Sequence, residues 1–293
     1  MGKFVGVIPP VVTAFDANGT LNLEKTKAFV RHLVNQGVHG IFVAGSTGEY
    51  TLLSQQERKE LFSAGVEAVD GRVPLLAGTG HNSTRLAIEL SQHAEKAGAN
   101  AIVVSLPHYP RPTEEGLYEH YKQIAEAVFI PVFVYNWPDA MGFSISPELV
   151  ARLGNEGLIA GIKDSHSNLD HAAEIFRLTR GKITVFAGWA SKLLPALALG
   201  LHGIIATAAN AIAEEVVAIY DHYQAGDLEK ARQMHYKIQP FINAMELHPD
   251  GIKQAVRLLG HDGRTPSRLP IEEAPPKVTA ALRESLRTLG KLR

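Results

Sequence analysis

The 293-residue sequence predicts an α/β chain folded as a (β/α)8 TIM barrel with a C-terminal helical extension. Three observations predict it. Short, nearly continuous apolar runs alternate with amphipathic stretches, the pattern of a parallel sheet covered by helices. There are eight such runs, enough to close a barrel through right-handed crossovers, and the chain exceeds the about 250 residues that a barrel of this kind needs. After the eighth run the pattern turns helical and no β-rich run returns.

The predicted strands lie at 6–12, 40–44, 74–78, 101–105, 131–135, 159–163, 183–187 and 203–206. Most are short runs rich in β-branched or aromatic residues, such as Ala-Ile-Val-Val-Ser or Pro-Val-Phe-Val-Tyr, and 74–78 is apolar without them. The intervening helices are predicted at 23–36, 54–69, 83–97, 114–128, 147–153, 168–179 and 192–199. An open doubly wound sheet is the rival architecture. No strand is followed by the Gly-x-Gly-x-x-Gly turn that opens a dinucleotide site; Gly78-Thr79-Gly80 reads as a tight turn. The segment 193–213 is apolar enough to resemble a membrane span. Pro195, Gly200, His202 and Gly203 interrupt it, so it reads as a buried helix followed by a buried strand. Four helices follow, at 213–224, 227–242, 252–259 and 277–289. The first completes the barrel, giving a catalytic barrel over 1–224 and a helical extension over 225–293 that packs against it.

Composition narrows the function. With 29 basic and 30 acidic residues the formal net charge is −1, and no charge block stands out. Nucleic acid and anionic membrane are therefore excluded as expected partners. The absence of cysteine excludes disulfides, thiolate metal sites and a cysteine nucleophile. Residues 1–10 contain no extended apolar core of a signal peptide, which points to a cytoplasmic protein.

The chemistry concentrates at strand ends, where barrel enzymes carry their catalytic groups. Lys163 closes the apolar run of the sixth strand. Burying an ammonium without a partner is costly, and a desolvated amine loses its proton and becomes a nucleophile toward carbonyls. The plainer alternative is a lysine that reaches solvent or pairs with Asp164. Tyr135 ends the fifth strand. It either packs its ring and bonds backbone, or shuttles protons beside the lysine. Gly45-Ser46-Thr47-Gly48 follows the second strand and offers amide and hydroxyl donors suited to a carboxylate, unless it is an ordinary Gly/Ser turn. Glu49 reads as a pairing or capping residue, and Tyr109 lies in the loop after the fourth strand. The 13 histidines invite a metal reading, but they are scattered, and no His-Glu-x-x-His run exists.

Together these motifs resemble the dihydrodipicolinate synthase / N-acetylneuraminate lyase family of class I aldolases. The resemblance rests on Gly45-Ser46-Thr47-Gly48-Glu49, on Leu106-Pro107-His108-Tyr109-Pro110 with Pro112, on Tyr135-Asn136-Trp137-Pro138 with Gly142, and on Gly161-Ile162-Lys163-Asp164. It implies that Lys163 forms a Schiff base with pyruvate or another 2-keto acid, with no cofactor and no metal. It implies that Ser46 and Thr47 hold the substrate carboxylate, that Tyr135 carries protons, and that Tyr109 joins the relay from a neighbouring subunit. It further implies that Gly188, Trp189, Ile205 and Ala140 line the substrate site, and that the protein is a homodimer or homotetramer.

Departures from the family pattern steer the expected substrate. The synthases carry an arginine where Ala140 stands, and it binds the carboxylate of aspartate semialdehyde. Gly188 is followed by Trp189-Ala190-Ser191 rather than by the acidic residues of neuraminate lyases. The leading expectation is a reversible aldolase that splits a 2-keto-3-deoxy acid into pyruvate and an aldehyde. The alternatives are a dihydrodipicolinate synthase with Arg111 replacing the missing arginine, a Schiff-base dehydratase, a metal-dependent aldolase, and a non-catalytic keto-acid binder.

Overall fold

The structure is a computed structural model that describes residues 4–261 and 266–293. Two predicted regions therefore lie partly outside the described residues: the N-terminal stretch at 1–3 and the helical extension at 262–265.

The elements alternate as the periodicity predicts. They run β1 (Gly6–Ile8), α1 (Leu23–Asn35), β2 (Ile41–Val43), α2 (Gln55–Val69), β3 (Leu75–Gly78), α3 (Thr84–Ala97), β4 (Ala101–Ser105) and α4 (Glu114–Glu126). The chain continues through β5 (Val132–Asn136), α5 (Pro138–Met141), α6 (Pro147–Asn155), β6 (Gly161–Asp164), α7 (Leu169–Thr179), β7 (Thr184–Ala187), α8 (Leu193–Ala198) and β8 (Gly203–Ile205). It ends with α9 (Ala213–Gln224), α10 (Leu228–Met245), α11 (Gly251–Leu258) and α12 (Pro276–Thr288). No helix among the described residues is long and apolar enough to cross a membrane.

All sheet pairs are parallel, in the order β1-β8-β7-β6-β5-β4-β3-β2. The sheet closes through Pro10, which bridges Phe42. There the Val11 N–H donates to Phe42 O at 2.8 Å and the Phe42 N–H donates to Pro9 O at 3.0 Å. The chain is thus a (β/α)8 barrel. β1 stops at Ile8, short of its predicted end at Val12, because Pro9 and Pro10 have no N–H for a ladder. β6 starts two residues later than predicted and runs on to Asp164, so Lys163 stands inside the strand rather than at its end.

Helix starts follow their caps. Ser54 and Glu57 form a reciprocal capping box at α2. Asn22, Thr113, Ser146 and Asn168 each accept a backbone N–H at the head of α1, α4, α6 and α7. The short α5 was not predicted. Pro138 opens it, and four residues are too few to show a helical period.

Strand alternation separates two cores. Ile8, Phe42, Leu76, Val103, Phe133, Phe186 and Ile205 fill the barrel interior. Val7, Val43, Val104, Val134, Ile162, Val185 and Ile204 face the helices. Phe133 pairs with Gly161 across β5 and β6. A Cβ at Gly161 would lie 2.5 Å from the Phe133 ring and 2.3 Å from Thr184 O. The ring therefore occupies the space that a side chain at 161 would need. Gly161→Ala is expected to lower unfolding stability by about 1–3 kcal/mol through overpacking. Urea denaturation measures this, and a variant as stable as the parent would show that the barrel interior relaxes freely there.

Candidate active site

Parallel pairing places partnered residues on the same face of the sheet. Tyr135 pairs with Lys163, and Asn136 pairs with Asp164. The first pair points into the barrel mouth and the second into the helix layer. Lys163 is 4% exposed, and its Nζ lies 3.9 Å from the centre of the Tyr135 ring and 5.7 Å from that of Phe42. Among the described residues no carboxylate pairs with it. The predicted alternative, a Lys163–Asp164 ion pair, is not formed. Asp164 instead accepts from Asn136 Nδ2 at 2.8 Å and from His171 Nδ1 at 2.9 Å. Burial without a counterion pushes the Lys163 amine down to about 7. A large share of it is then an unprotonated nucleophile near neutrality.

His171 completes the outward-facing pair. Its Nε2 donates to Ile145 O at 2.9 Å, so both ring nitrogens face oxygen acceptors, the environment of an imidazolium. Burial opposes the charge, but the hydrogen bond to Asp164 and the carboxylate's charge, with help from Ile145 O and Glu148, raise the pKa above the ordinary histidine value. Asp164 is therefore neutralised by a partner other than Lys163.

The Tyr135 hydroxyl accepts from Ser46 Oγ at 3.3 Å. Burial drives its pKa well above the ordinary phenol value, with the hydroxyls of Ser46 and Ser165 opposing that shift. The phenol is thus protonated and able to donate. Ser46 belongs to the predicted glycine-bracketed turn. Among the described residues, the Ser46 and Thr47 amide N–H groups have no acceptor. Thr47 Oγ1 lies 2.8 Å from Thr207 Oγ1. The turn that brings the Ser46 hydroxyl to Tyr135 thus also carries the Thr47 hydroxyl and two free amides, a set of donors that fits a carboxylate. Gly48 is required here, since a Cβ would come within 2.9 Å of Val11 O. Its carbonyl accepts from Thr13 Oγ1 at 2.7 Å.

The other predicted site residues divide. Gly188 donates its N–H to Asp164 O at 2.9 Å, and a Cβ there would lie 1.8 Å from Ser165 Oγ. Trp189 donates from Nε1 to Ser165 O at 2.9 Å and meets Trp137 edge to face at 6.2 Å. Ile205 lies in the barrel interior. Ala140 is exposed on α5. Arg111 sits 5.2 Å from the centre of the nearby Phe143 ring. Tyr109 is not brought to this cluster by its own chain: it is 80% exposed in the loop after β4. Among the described residues no group of three or more histidine or acidic side chains is placed to hold a metal ion.

Ser165, Thr207 and His171 escaped the sequence reading. Ser165 was detectable, because it follows Lys163 by two residues and alternation turns it to the same face. Thr207 and His171 lie after strand ends in segments with no diagnostic spacing.

Comparison with known proteins agrees with this geometry. The model of the dihydrodipicolinate synthetase family matches residues 3–289. A 4-hydroxy-tetrahydrodipicolinate synthase from Methanopyrus kandleri is 39% identical over 292 residues, covering 98% of this chain and 97% of the relative. Dihydrodipicolinate synthase from Thermotoga maritima superposes with a TM-score of 0.95 at 35% identity, covering 99% of both chains. A prophage protein of the dihydrodipicolinic acid synthase family from E. coli K12, solved in complex with pyruvate, superposes with a TM-score of 0.94 at 35% identity, covering 98% of this chain and 99% of that one. These findings correct the expectation of a 2-keto-3-deoxy acid aldolase. That expectation weighted departures at a few loop positions, Ala140 and the Trp189-Ala190-Ser191 run after Gly188 among them, whereas the relatives named as synthases match across nearly the whole chain. An eight-stranded barrel with a buried, unpaired lysine and a match over almost its full length places this chain in the dihydrodipicolinate synthetase family of Schiff-base-forming, pyruvate-dependent enzymes.

Proposed function

We propose that the protein condenses pyruvate with aspartate semialdehyde, as a 4-hydroxy-tetrahydrodipicolinate synthase. The observation that carries this reading is the Lys163 amine, buried without a counterion beside the Tyr135 ring. The names of the relatives support the choice of aldehyde. The Lys163 amine attacks C2 of pyruvate, and the adduct loses water to give an iminium. The iminium draws electrons from C3, which releases a proton and becomes the nucleophilic carbon of an enamine. The enamine forms a carbon–carbon bond to the aldehyde carbon, whose oxygen takes a proton. The amino group of the semialdehyde then attacks the iminium carbon and displaces Lys163, closing the ring.

Tyr135 carries protons in this scheme, and Ser46 and Thr47 hold the pyruvate carboxylate with their hydroxyls and amides. Gly188, Ile205 and Trp189 shape the walls around it. Ala140 offers the semialdehyde carboxylate no charge, and we assign that role to Arg111. Tyr109, exposed in its own chain, is assigned to the proton relay of a neighbouring copy in a homodimer or homotetramer.

Three outcomes follow from these assignments. Borohydride with pyruvate should add one reduced pyruvate unit per chain on Lys163, and Lys163→Ala should abolish turnover in a folded protein. Because the neutral amine is the nucleophile, the rate of imine formation should climb as pH rises through about 7 and then level. Label on another lysine, or a rate that falls over that range, rejects the assignment.

Tyr135→Phe keeps the ring and removes the proton. It should lower kcat by about 10²–10⁴-fold with a smaller change in KM. An effect confined to KM would make Tyr135 a binding residue.

Condensation of pyruvate with aspartate semialdehyde should proceed efficiently in the unmodified protein. Arg111→Met should raise KM for the semialdehyde about tenfold or more, the loss expected for a charged carboxylate partner, and leave pyruvate saturation unchanged. Absence of condensation would reject the synthase reading, and an unaltered semialdehyde KM would reject the role of Arg111.

A further inference from the structure

The mechanism leaves a deeply buried ion pair unused. Lys253 of α11 pairs with Glu49, and both side chains are 3% exposed. Desolvating two charges this completely is weak evidence of stabilisation, because the desolvation penalty can match or exceed their attraction. Its location is informative. Glu49 is the last residue of the Gly45–Glu49 turn, next to the segment that presents Ser46 and Thr47.

The backbone of Glu49 is left-handed, with φ of 59°. Side chains disfavour that region, and glycine adopts it freely. The sequence has glycine at 45 and 48 but not at 49. Something must therefore hold Glu49 there, and its carboxylate is the means. Oε1 meets Lys253 Nζ, and Oε2 accepts the backbone N–H of Arg268 at 2.8 Å. Lys253 also donates to Pro266 O at 3.1 Å, which ties down the segment that presents the Arg268 amide. Phe15 lies beneath both cations, with its ring centre 4.4 Å from Lys253 Nζ and 4.2 Å from Arg268 Cζ.

The Glu49 backbone in turn sets the turn. Its N–H donates to Ser46 O at 3.0 Å, and its carbonyl accepts from Leu52 N at 2.8 Å. Rotating Glu49 out of the left-handed region would break the bond that spans it, from the Tyr50 N–H to Gly45 O at 3.3 Å, and swing Ser46 and Thr47 with their free amides relative to the segment that follows.

We propose that Lys253 and the Arg268 amide, both from the C-terminal segment, are positioning groups that lock Glu49 and so orient the Ser46–Thr47 turn toward the pyruvate carboxylate. This rests on the pyruvate site proposed above. Lys253 and Glu49 are positioning residues, since neither touches the reacting atoms.

The test compares two carbonyl compounds trapped by borohydride in the full-length protein: pyruvate, and hydroxyacetone, which has the ketone but no carboxylate. Three variants are used. Lys253→Met and Glu49→Gln remove the pair from either side. Lys291→Met removes a comparable ion pair from the C-terminal segment to Glu214 and Glu215, away from the turn. Lys253→Met should raise the pyruvate concentration for half-maximal trapping about tenfold, as for misplaced carboxylate donors, and leave hydroxyacetone within about twofold. Glu49→Gln should do the same, and it decides the matter if Lys253→Met does not fold. Lys291→Met should lower thermal stability without changing either ketone. A shift of similar size for both ketones, or none in folded variants, overturns the positioning role while the pyruvate site stands. Failure of the unmodified protein to trap pyruvate overturns the site itself, and the positioning role with it.

Discussion

The register of β5 on β6 is the constraint on which the rest depends. Tyr135 opposite Lys163 and Asn136 opposite Asp164 are consequences of one ladder. A slip of one residue would turn Asp164 into the barrel and Lys163 into the helix layer. The pairing therefore does two things at once. It puts the amine over the phenol ring, and it sends the nearest carboxylate to the far side of the sheet, where His171 and Asn136 hold it. Phe133 fills the space that a side chain at 161 would need, so this register is matched by shape as well as by hydrogen bonds.

The electrostatics follow from that separation. A lysine with a nearby carboxylate would keep its proton, as salt-bridged lysines do. Here the barrel interior below Lys163 is apolar, and the acid that adjoins it in sequence is neutralised elsewhere. The cost of burying a charge is thereby converted into a neutral amine near physiological pH. The hydroxyl of Tyr135 is moved in the opposite sense by the same burial, so the site holds an amine that readily gives up its proton beside a phenol that keeps one.

Much of this was legible in the sequence, for physical reasons. Buried parallel strands are apolar without interruption, and their runs marked all eight strand positions. Helix starts were readable within a residue or two because Asn22, Ser54 and Thr113 are good caps. Lys163 stood out because a charge at the close of such a run is anomalous. The failures are of another kind. β1 ends early because two prolines remove its donors, which an apolar pattern does not register. The Asp164–His171 pair depends on two segments that meet only in space. The aldehyde was misjudged because departures at Ala140 and after Gly188 were weighed above the motifs shared along the chain. The cation for a second carboxylate can come from a loop other than the one that carries Ala140, which a reading of that loop by itself does not register.

The side chain of Arg268 donates to Gly19 O at 3.0 Å and to Leu52 O at 2.9 Å, and its backbone reaches Glu49, across separations of 249, 216 and 219 residues. Such contacts are far from local, and they carry the entropic penalty of closing loops of 216 to 249 residues. They also have a direction in time. During synthesis the loops around β1 and β2 leave the ribosome first and wait for partners that are translated 216 to 249 residues later. A nascent chain that has already made Lys163 and Tyr135 still lacks the residues that brace the turn beside them. Glu49 therefore acquires its Arg268 partner only after all the strands that carry Lys163 and Tyr135 and close the barrel have been made.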